Sequence, residues 1–177
     1  EEGTDTVQLG RLEIVAETVV RFRGPVKVTV DNIADDGETG ENDNVRDDNE
    51  IIRGTDDADT LSGNGGANTF FGAGGNDSIR GNGGNDVLIG GDGNDMLRGG
   101  DGKDALAGNA GDDVLEGGTD ADELHGGAGA SDQAIYWASS AGVNVSLVTG
   151  VGLGGDAEGD VLIGIEGAFG GLGNDTL

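Results

Sequence analysis

One large apolar residue recurs every nine positions through the middle of the chain: Leu61, Phe70, Ile79, Leu88, Leu97, Leu106, Leu115 and Leu124. Between them the sequence is polar and glycine-rich, and eight such steps run from Gly54 to His125 without an insertion. Position one is Gly54, Gly63, Gly72, Gly81, Gly90, Gly99, Gly108 or Gly117. Position four is glycine in six steps, with Asp57 and Asp120 as the exceptions. Position six is Asp59, Asn68, Asp77, Asp86, Asp95, Asp104, Asp113 or Asp122. Glycine opens positive φ and lets carbonyls approach closely, so positions one to four predict a tight turn. Asp57 and Asp120 fit that turn because aspartate tolerates the left-handed region. The last three positions, with the large side chain in the middle, predict a very short strand with one inward residue. Two steps make a coil of 18 residues. Four coils at about 4.8 Å per strand make a rod roughly 19 Å long.

The flanks follow a different pattern. Alternation at Val26, Val28 and Val30, and again at Val143, Val145 and Leu147, predicts strands. The chain therefore divides into an N-terminal β-rich module with an acidic loop (1–53), a roll (54–132), a C-terminal β-rich module (133–169) and the start of a second array (170–177). The two flanks look like one module used twice: Glu50, Gly54, Asp59 and Leu61 recur 116 residues later as Glu166, Gly170, Asp175 and Leu177. Such a chain reads as a cut from a longer tandem protein or as one tile of an end-to-end assembly. Tyr136 and Trp137 fit a strand core better than a sugar-binding platform.

Composition narrows the function classes. Thirty-nine glycines beside one proline, with no three-residue period, exclude collagen. They also argue against helices packed on a sheet, since each interior helix glycine costs roughly 1 kcal/mol against alanine. With 35 acidic and 9 basic side chains the formal charge is −26, which repels nucleic acid and anionic membrane surfaces. No apolar run approaches the roughly 20 residues of a membrane span. The absence of cysteine excludes disulfides and thiolate sites. The lone His125 falls at position nine, pointing outward, and no serine has a histidine in matching context, so no nucleophilic triad is expected. Carboxylates that might pair as glycosidase acids are claimed by the repeat. What so acidic and glycine-rich a chain invites is a metal cation.

The steps GAGGNDSIR, GNGGNDVLI, GGDGNDMLR and GGDGKDALA resemble the hemolysin-type calcium-binding repeats of the repeats-in-toxin (RTX) family. The resemblance covers Gly54–His125 and resumes at GGLGNDTL, Gly170–Leu177. It implies an all-β fold, a calcium-bound parallel β-roll (β-solenoid) flanked by small β-rich modules. In an 18-residue coil the sixth positions stack as Asp59, Asp77, Asp95 and Asp113 on one edge, and as Asn68, Asp86, Asp104 and Asp122 on the other. Calcium takes about six to eight oxygens. The resemblance implies that stacked carboxylates share each ion with turn carbonyls, drawn from such residues as Gly90, Gly91, Asp92 and Gly93 or Gly99, Gly100, Asp101 and Gly102. About six Ca2+ ions fit the regular roll, with the gap beside the neutral Asn68 the weakest. Without them, carboxylates about 5 Å apart would repel, and no lysine or arginine ladder stands opposite. An extra residue before Asp132 weakens the case for a site there, while Asp175 holds the matching place in the resumed repeat. Asp35, Asp36, Asp43, Asp156 and Asp160 in the flank loops are either further ligands or a solvated acidic surface; no EF-hand pattern fits them.

The resemblance further implies type I secretion of an unfolded chain that folds on meeting calcium outside the cell. Extracellular modules bind calcium with dissociation constants of about 10⁻⁴–10⁻³ M. The favoured role is structural and non-enzymatic: a segment of a bacterial surface adhesin, surface layer or extracellular fibre. Its partners would be calcium ions, copies of itself, and other surface or matrix components, with no nucleic acid and no membrane insertion. The competing class is the calcium-binding secretion module of a secreted protease, lipase or epimerase. Ice binding would want an outward row of threonine, which position two lacks (Thr55, Asn64, Ala73, Asn82, Gly91, Gly100, Asn109, Gly118). On one outer face Thr69/Phe71, Val87/Ile89 and Ala105/Ala107 form an apolar strip. Its expected cover is the 1–53 module or a neighbouring copy, with Phe71 and Ile89 buried and Arg80 and Arg98 exposed.

Overall fold

The structure is a computed structural model and describes residues 19–21, 25–29 and 51–177. The strands are β1 (Val19–Arg21), β2 (Lys27–Thr29), β3 (Ile51–Arg53), β4 (Thr60–Ser62), β5 (Thr69–Gly74), β6 (Ser78–Gly83), β7 (Val87–Asp92) and β8 (Met96–Asp101). They continue with β9 (Ala105–Ala110), β10 (Val114–Thr119), β11 (Glu123–Ala128), β12 (Gln133–Ile135), β13 (Asn144–Ser146), β14 (Val151–Leu153), β15 (Val161–Ile163) and β16 (Gly167–Phe169). Through the repeats, consecutive strands alternate between two sheets. One has the order β1-β3-β5-β7-β9-β11-β15-β14-β13, the other β16-β12-β10-β8-β6-β4-β2. The chain is an all-β, parallel β-solenoid.

Register follows from the 18-residue coil. Ile79 lies opposite Leu97, and Leu97 opposite Leu115, so identical positions stack on identical positions. Two inward columns result. Ile52, Phe70, Leu88, Leu106, Leu124 and Leu162 line the first sheet. Val28, Leu61, Ile79, Leu97, Leu115 and Ala134 line the second. All belong to one buried core. A fully buried leucine contributes about 1.5–3 kcal/mol, and each coil has only two such positions, so the core is long and thin.

The strands are longer than the three residues expected. From β5 to β11 each has six, taking in positions one to three of the following step: Asn82 pairs with Gly100, and Gly83 with Asp101. Small residues there leave room for backbone to pair with backbone, and the turn shrinks to the next three positions.

Strands from both sequence flanks join the same two sheets. β1, β2 and β3 add rungs at one end, and β12, β15 and β16 at the other. Between β12 and β15 the chain leaves the solenoid as an antiparallel β13–β14 pair, which rejoins beside β15. The echo between the two flanks is visible in hydrogen bonds. Val26 N–H donates to Asp59 Oδ1 at 2.7 Å and Val143 N–H to Asp175 Oδ1 at 3.0 Å. Thr60 N–H donates to the Val26 carbonyl and Thr176 N–H to the Val143 carbonyl, both at 2.9 Å. Glu50, Asp35, Asp36 and Asp43 lie outside the described residues. Among the described residues no helix is long and apolar enough to cross a membrane.

Two packing expectations need correction. Tyr136 is buried, but Trp137 is 59% exposed, because the chain turns outward directly after β12. Phe71 and Ile89 are half-buried and Val87 is exposed, short of the burial expected for the apolar strip. The Arg53 guanidinium lies 5.6 Å from the Phe71 ring centroid. Arg80 is exposed, whereas Arg98 is half-buried and pairs with Glu116 at 2.9 Å. Most of the 1–53 segment expected as cover lies outside the described residues.

Candidate metal centre

The solenoid stacks the position-six residues into two files. In the first, Asp59 N–H donates to Asp77 Oδ1 at 2.7 Å, Asp77 N–H to Asp95 Oδ1 and Asp95 N–H to Asp113 Oδ1 at 2.8 Å. In the second, Asn68 N–H donates to Asp86 Oδ1 at 2.7 Å, Asp86 N–H to Asp104 Oδ1 at 2.8 Å and Asp104 N–H to Asp122 Oδ1 at 2.9 Å. Each carboxylate thus spends one oxygen on the amide of the coil before it. All eight of these side chains are buried.

The other oxygen is the chemically interesting one. Oδ2 of Asp77, Asp86, Asp95, Asp104, Asp113 and Asp122 is buried and accepts no hydrogen bond. A buried acceptor left without a donor costs about 1–3 kcal/mol, and more when charged. Position-one glycine makes room for it. A methyl group on Gly72, Gly90 or Gly99 would overlap Oδ2 of Asp77, Asp95 or Asp104 and crowd the carbonyl of the position-one glycine one coil on, that of Gly90, Gly108 or Gly117. This glycine is needed for space, with φ outside the left-handed region. Positive φ falls instead at position two (Gly91, Gly100) and position four (Gly93, Gly102). The exposed Asp92 and Asp101 lie between them; Asp101 Oδ1 accepts from the Thr119 hydroxyl at 3.2 Å.

The turns of the first two steps differ. Thr55, Asp57, Asn64 and Gly66 show no positive φ, so Asp57 does not use the left-handed region that Asp120 adopts at φ 73°. Asp59 Oδ2 accepts from Thr55 N–H at 2.6 Å, and Asn68 Oδ1 from Asn64 N–H at 3.1 Å. Asn68 Nδ2 is a buried donor without a partner, a group that would repel a cation.

A second ladder, absent from the sequence reading, runs along position five. Asn76 Oδ1 accepts from Asn94 N–H at 2.9 Å. Asn85 Oδ1 accepts from Lys103 N–H, and Asn94 Oδ1 from Asp112 N–H, both at 3.0 Å. Steps one and two have Ala58 and Ala67 there and cannot take part. The signal was the Asn-Asp pair repeated at positions five and six.

Past the regular array, Asp132 and Asp160 continue the two files: Asp113 N–H donates to Asp132 Oδ1 at 2.8 Å and Asp122 N–H to Asp160 Oδ1 at 2.9 Å. Asp160 is fully buried and is no part of a solvated loop; Asp156 is half-buried. Counted from Gly155, Asp160 and Leu162 stand at positions six and eight of a step displaced by the preceding loop. Asp175 is half-buried and stands apart from both files, capping Val143.

Electrostatics fit a missing positive charge. Burial pushes the Asp77 and Asp113 carboxyls up to about 6, Asp95 and Asp104 to about 7 and Asp122 to about 8, against the opposing pull of their amide hydrogen bonds. Neighbouring carboxylates of the same file add to the rise. Among the described residues no three carboxylate or imidazole side chains converge on one point, so a bound ion would need backbone carbonyls as well. A hard cation that accepts carbonyl and carboxylate oxygens suits this donor set. His125, by contrast, pairs with Glu123 at 2.7 Å on the outer face.

The family model of the RTX calcium-binding nonapeptide repeat (4 copies) matches residues 46–79, 71–106 and 98–131. No curated protein matches the chain, and no solved structure does. Residues 46–131 of this chain belong to the family of RTX calcium-binding nonapeptide repeats.

Proposed function

We propose that the chain is a non-catalytic, calcium-loaded structural segment of an extracellular protein, folded by the ion it binds. The observation that carries this reading is the row of buried Oδ2 atoms without donors on Asp77, Asp86, Asp95, Asp104, Asp113 and Asp122. These six carboxylates, with neighbouring turn carbonyls, would hold the ions. Calcium supplies the positive charge that offsets their mutual repulsion. RTX repeats occur in secreted proteins, which supports a place outside the cell, where calcium is abundant enough for weak sites to fill. A cation that binds only the folded chain stabilises it by RT ln(1 + [L]/Kd), about 1.4 kcal/mol per site at ten times Kd. The stiff, repetitive architecture supports a spacer in an adhesin, surface layer or fibre.

Circular dichroism with a chelator tests the reading. The expected result is loss of strand signal in chelator, recovery with calcium and little recovery with magnesium, which demands tighter octahedral geometry. A full strand spectrum in chelator, with no heat of calcium binding, would overturn it.

A further inference from the structure

The two carboxylate files end in different ways. We propose that Asp132, which lies outside the matched repeats, opens a seventh cation position, whereas the Tyr136 hydroxyl closes the Asp160 turn so that it takes none. This rests on the calcium reading above and concerns which turns that reading applies to.

Asp132 is fully buried, and its Oδ2 accepts nothing, as in the six regular carboxylates. It sits in a similar glycine cradle. A methyl group on Gly126 would overlap the Gly164 carbonyl and lie 2.7 Å from Asp132 Oδ2. On Gly129 it would overlap the Gly111 carbonyl and lie 2.9 Å from Asp132 Oδ1. The extra residue before Asp132 is absorbed in the turn, and the file continues in register. Glu166 Oε2 accepts from Asp132 N–H at 2.9 Å, so a carboxylate again occupies the next coil.

Asp160 has the same amide bond through Oδ1 but a different fate for Oδ2, which accepts from the Tyr136 hydroxyl at 2.9 Å. Tyr136 is 2% exposed and is held by its own N–H donating to the Phe169 carbonyl at 2.8 Å. Burial, with the Asp160 charge beside it, holds the phenol well above the usual tyrosine range, so it stays a donor. A neutral protein group therefore gives Asp160 Oδ2 what a cation would give elsewhere, and blocks the approach to it.

Calorimetric calcium stoichiometry of the full chain and three variants tests this. Relative to wild type, Tyr136→Phe should bind one ion more and Asp132→Asn one fewer; asparagine at 132 keeps the acceptor for Asp113 N–H. Asp160→Asn should bind as many as wild type, because that turn holds no ion to lose. A Tyr136→Phe chain that folds with unchanged stoichiometry overturns the closing role, and unchanged stoichiometry in Asp132→Asn overturns the seventh position. If Tyr136→Phe does not fold, Asp160→Asn decides: loss of one ion would show that Asp160 is a ligand and sink the proposal. A wild type that binds no calcium would refute the underlying reading instead.

Discussion

Steps one and two of the roll carry the same fixed positions as the six that follow, yet their turns are built differently. In both regions glycine opens the step, position six is buried and position eight fills the core. Only from Ala73 onward does position two take positive φ, and only from Asp77 onward is Oδ2 left without a donor. Asn76, Asn85 and Asn94 at position five hold the next coil where the first two steps have Ala58 and Ala67, but Ala121 in the last step shows that the later form of the turn arises without them too. The shared positions thus specify the coil without specifying how its turn is built. In the first turn Thr55 N–H already satisfies the carboxylate, so the two regions should depend on calcium unequally.

The largest test of that contrast is a pair of glycine substitutions. Gly93→Ala, at φ 131°, would drive a methyl group into the Gly75 carbonyl and should cost about 3 kcal/mol or more, read as a fall in the denaturation midpoint with calcium present. Gly66→Ala, the same position in the second turn, has no positive φ, meets only the Asn64 side chain at 3.3 Å and should be nearly neutral. Equal losses would mean that the two turns are built alike.

Next in size are the carboxylates. Asp95→Asn keeps the acceptor for Asp77 N–H but removes the charge. It should lower calcium stoichiometry and cost about 1–3 kcal/mol of stability in calcium. Asp59→Asn should leave the stoichiometry unchanged, because its second oxygen is held by Thr55. A matching loss of ions in both variants would contradict the division.

Acidity gives a third test. Burial raises the folded carboxyls of Asp77, Asp95, Asp104, Asp113 and Asp122 to about 6 to 8, above the ordinary aspartate range. Raised groups favour the fold fully below about pH 4 and lose that contribution as pH rises through 6 to 8. Strand signal in chelator should therefore grow on acidification toward pH 4 and vanish near pH 8. With calcium the dependence inverts, since protons compete for the same oxygens: affinity should weaken between pH 8 and pH 6. An apo chain that gains structure on raising the pH would refute the sign.

The smallest expected effect comes from extending the second ladder. Ala67→Asn places an acceptor one coil before Asn85 N–H and should add about 1 kcal/mol in calcium, measured from denaturant midpoints. No gain would leave the position-five ladder without a part in holding one coil to the next.

Much of this architecture could be read from residue positions alone. The nine-residue step fixed both core columns and both carboxylate files, because a side chain repeated every 18 residues must stack on itself. The six-residue strands are not legible in the step, because glycines that permit a tight turn equally permit close backbone pairing. Position-one glycine was assigned to backbone freedom when its role is space for a carboxylate. Asp160 was obscured by the loop that precedes it, which breaks the period without breaking the stack. Tyr136 could not have been placed, since its hydroxyl reaches a residue 24 positions away across the coil. Phe71 and Ile89 are half-buried rather than covered, because an outward side chain in a stacked sheet is screened at its sides by neighbouring rungs and open above.

The coil that closes on Asp160 has a use of its own. Its amide–carboxylate contact joins residues 38 apart where regular coils join residues 18 apart, and the bond is still 2.9 Å long. Roughly doubling a loop costs only about 0.6 kcal/mol in closure entropy. The rungs therefore tolerate cargo between them. The hairpin tip at Val148 is 97% exposed and projects from the stack. Foreign peptide inserted there should ride outside the solenoid and leave the register of the rungs on either side intact, so the molecule already contains an attachment point for a display scaffold.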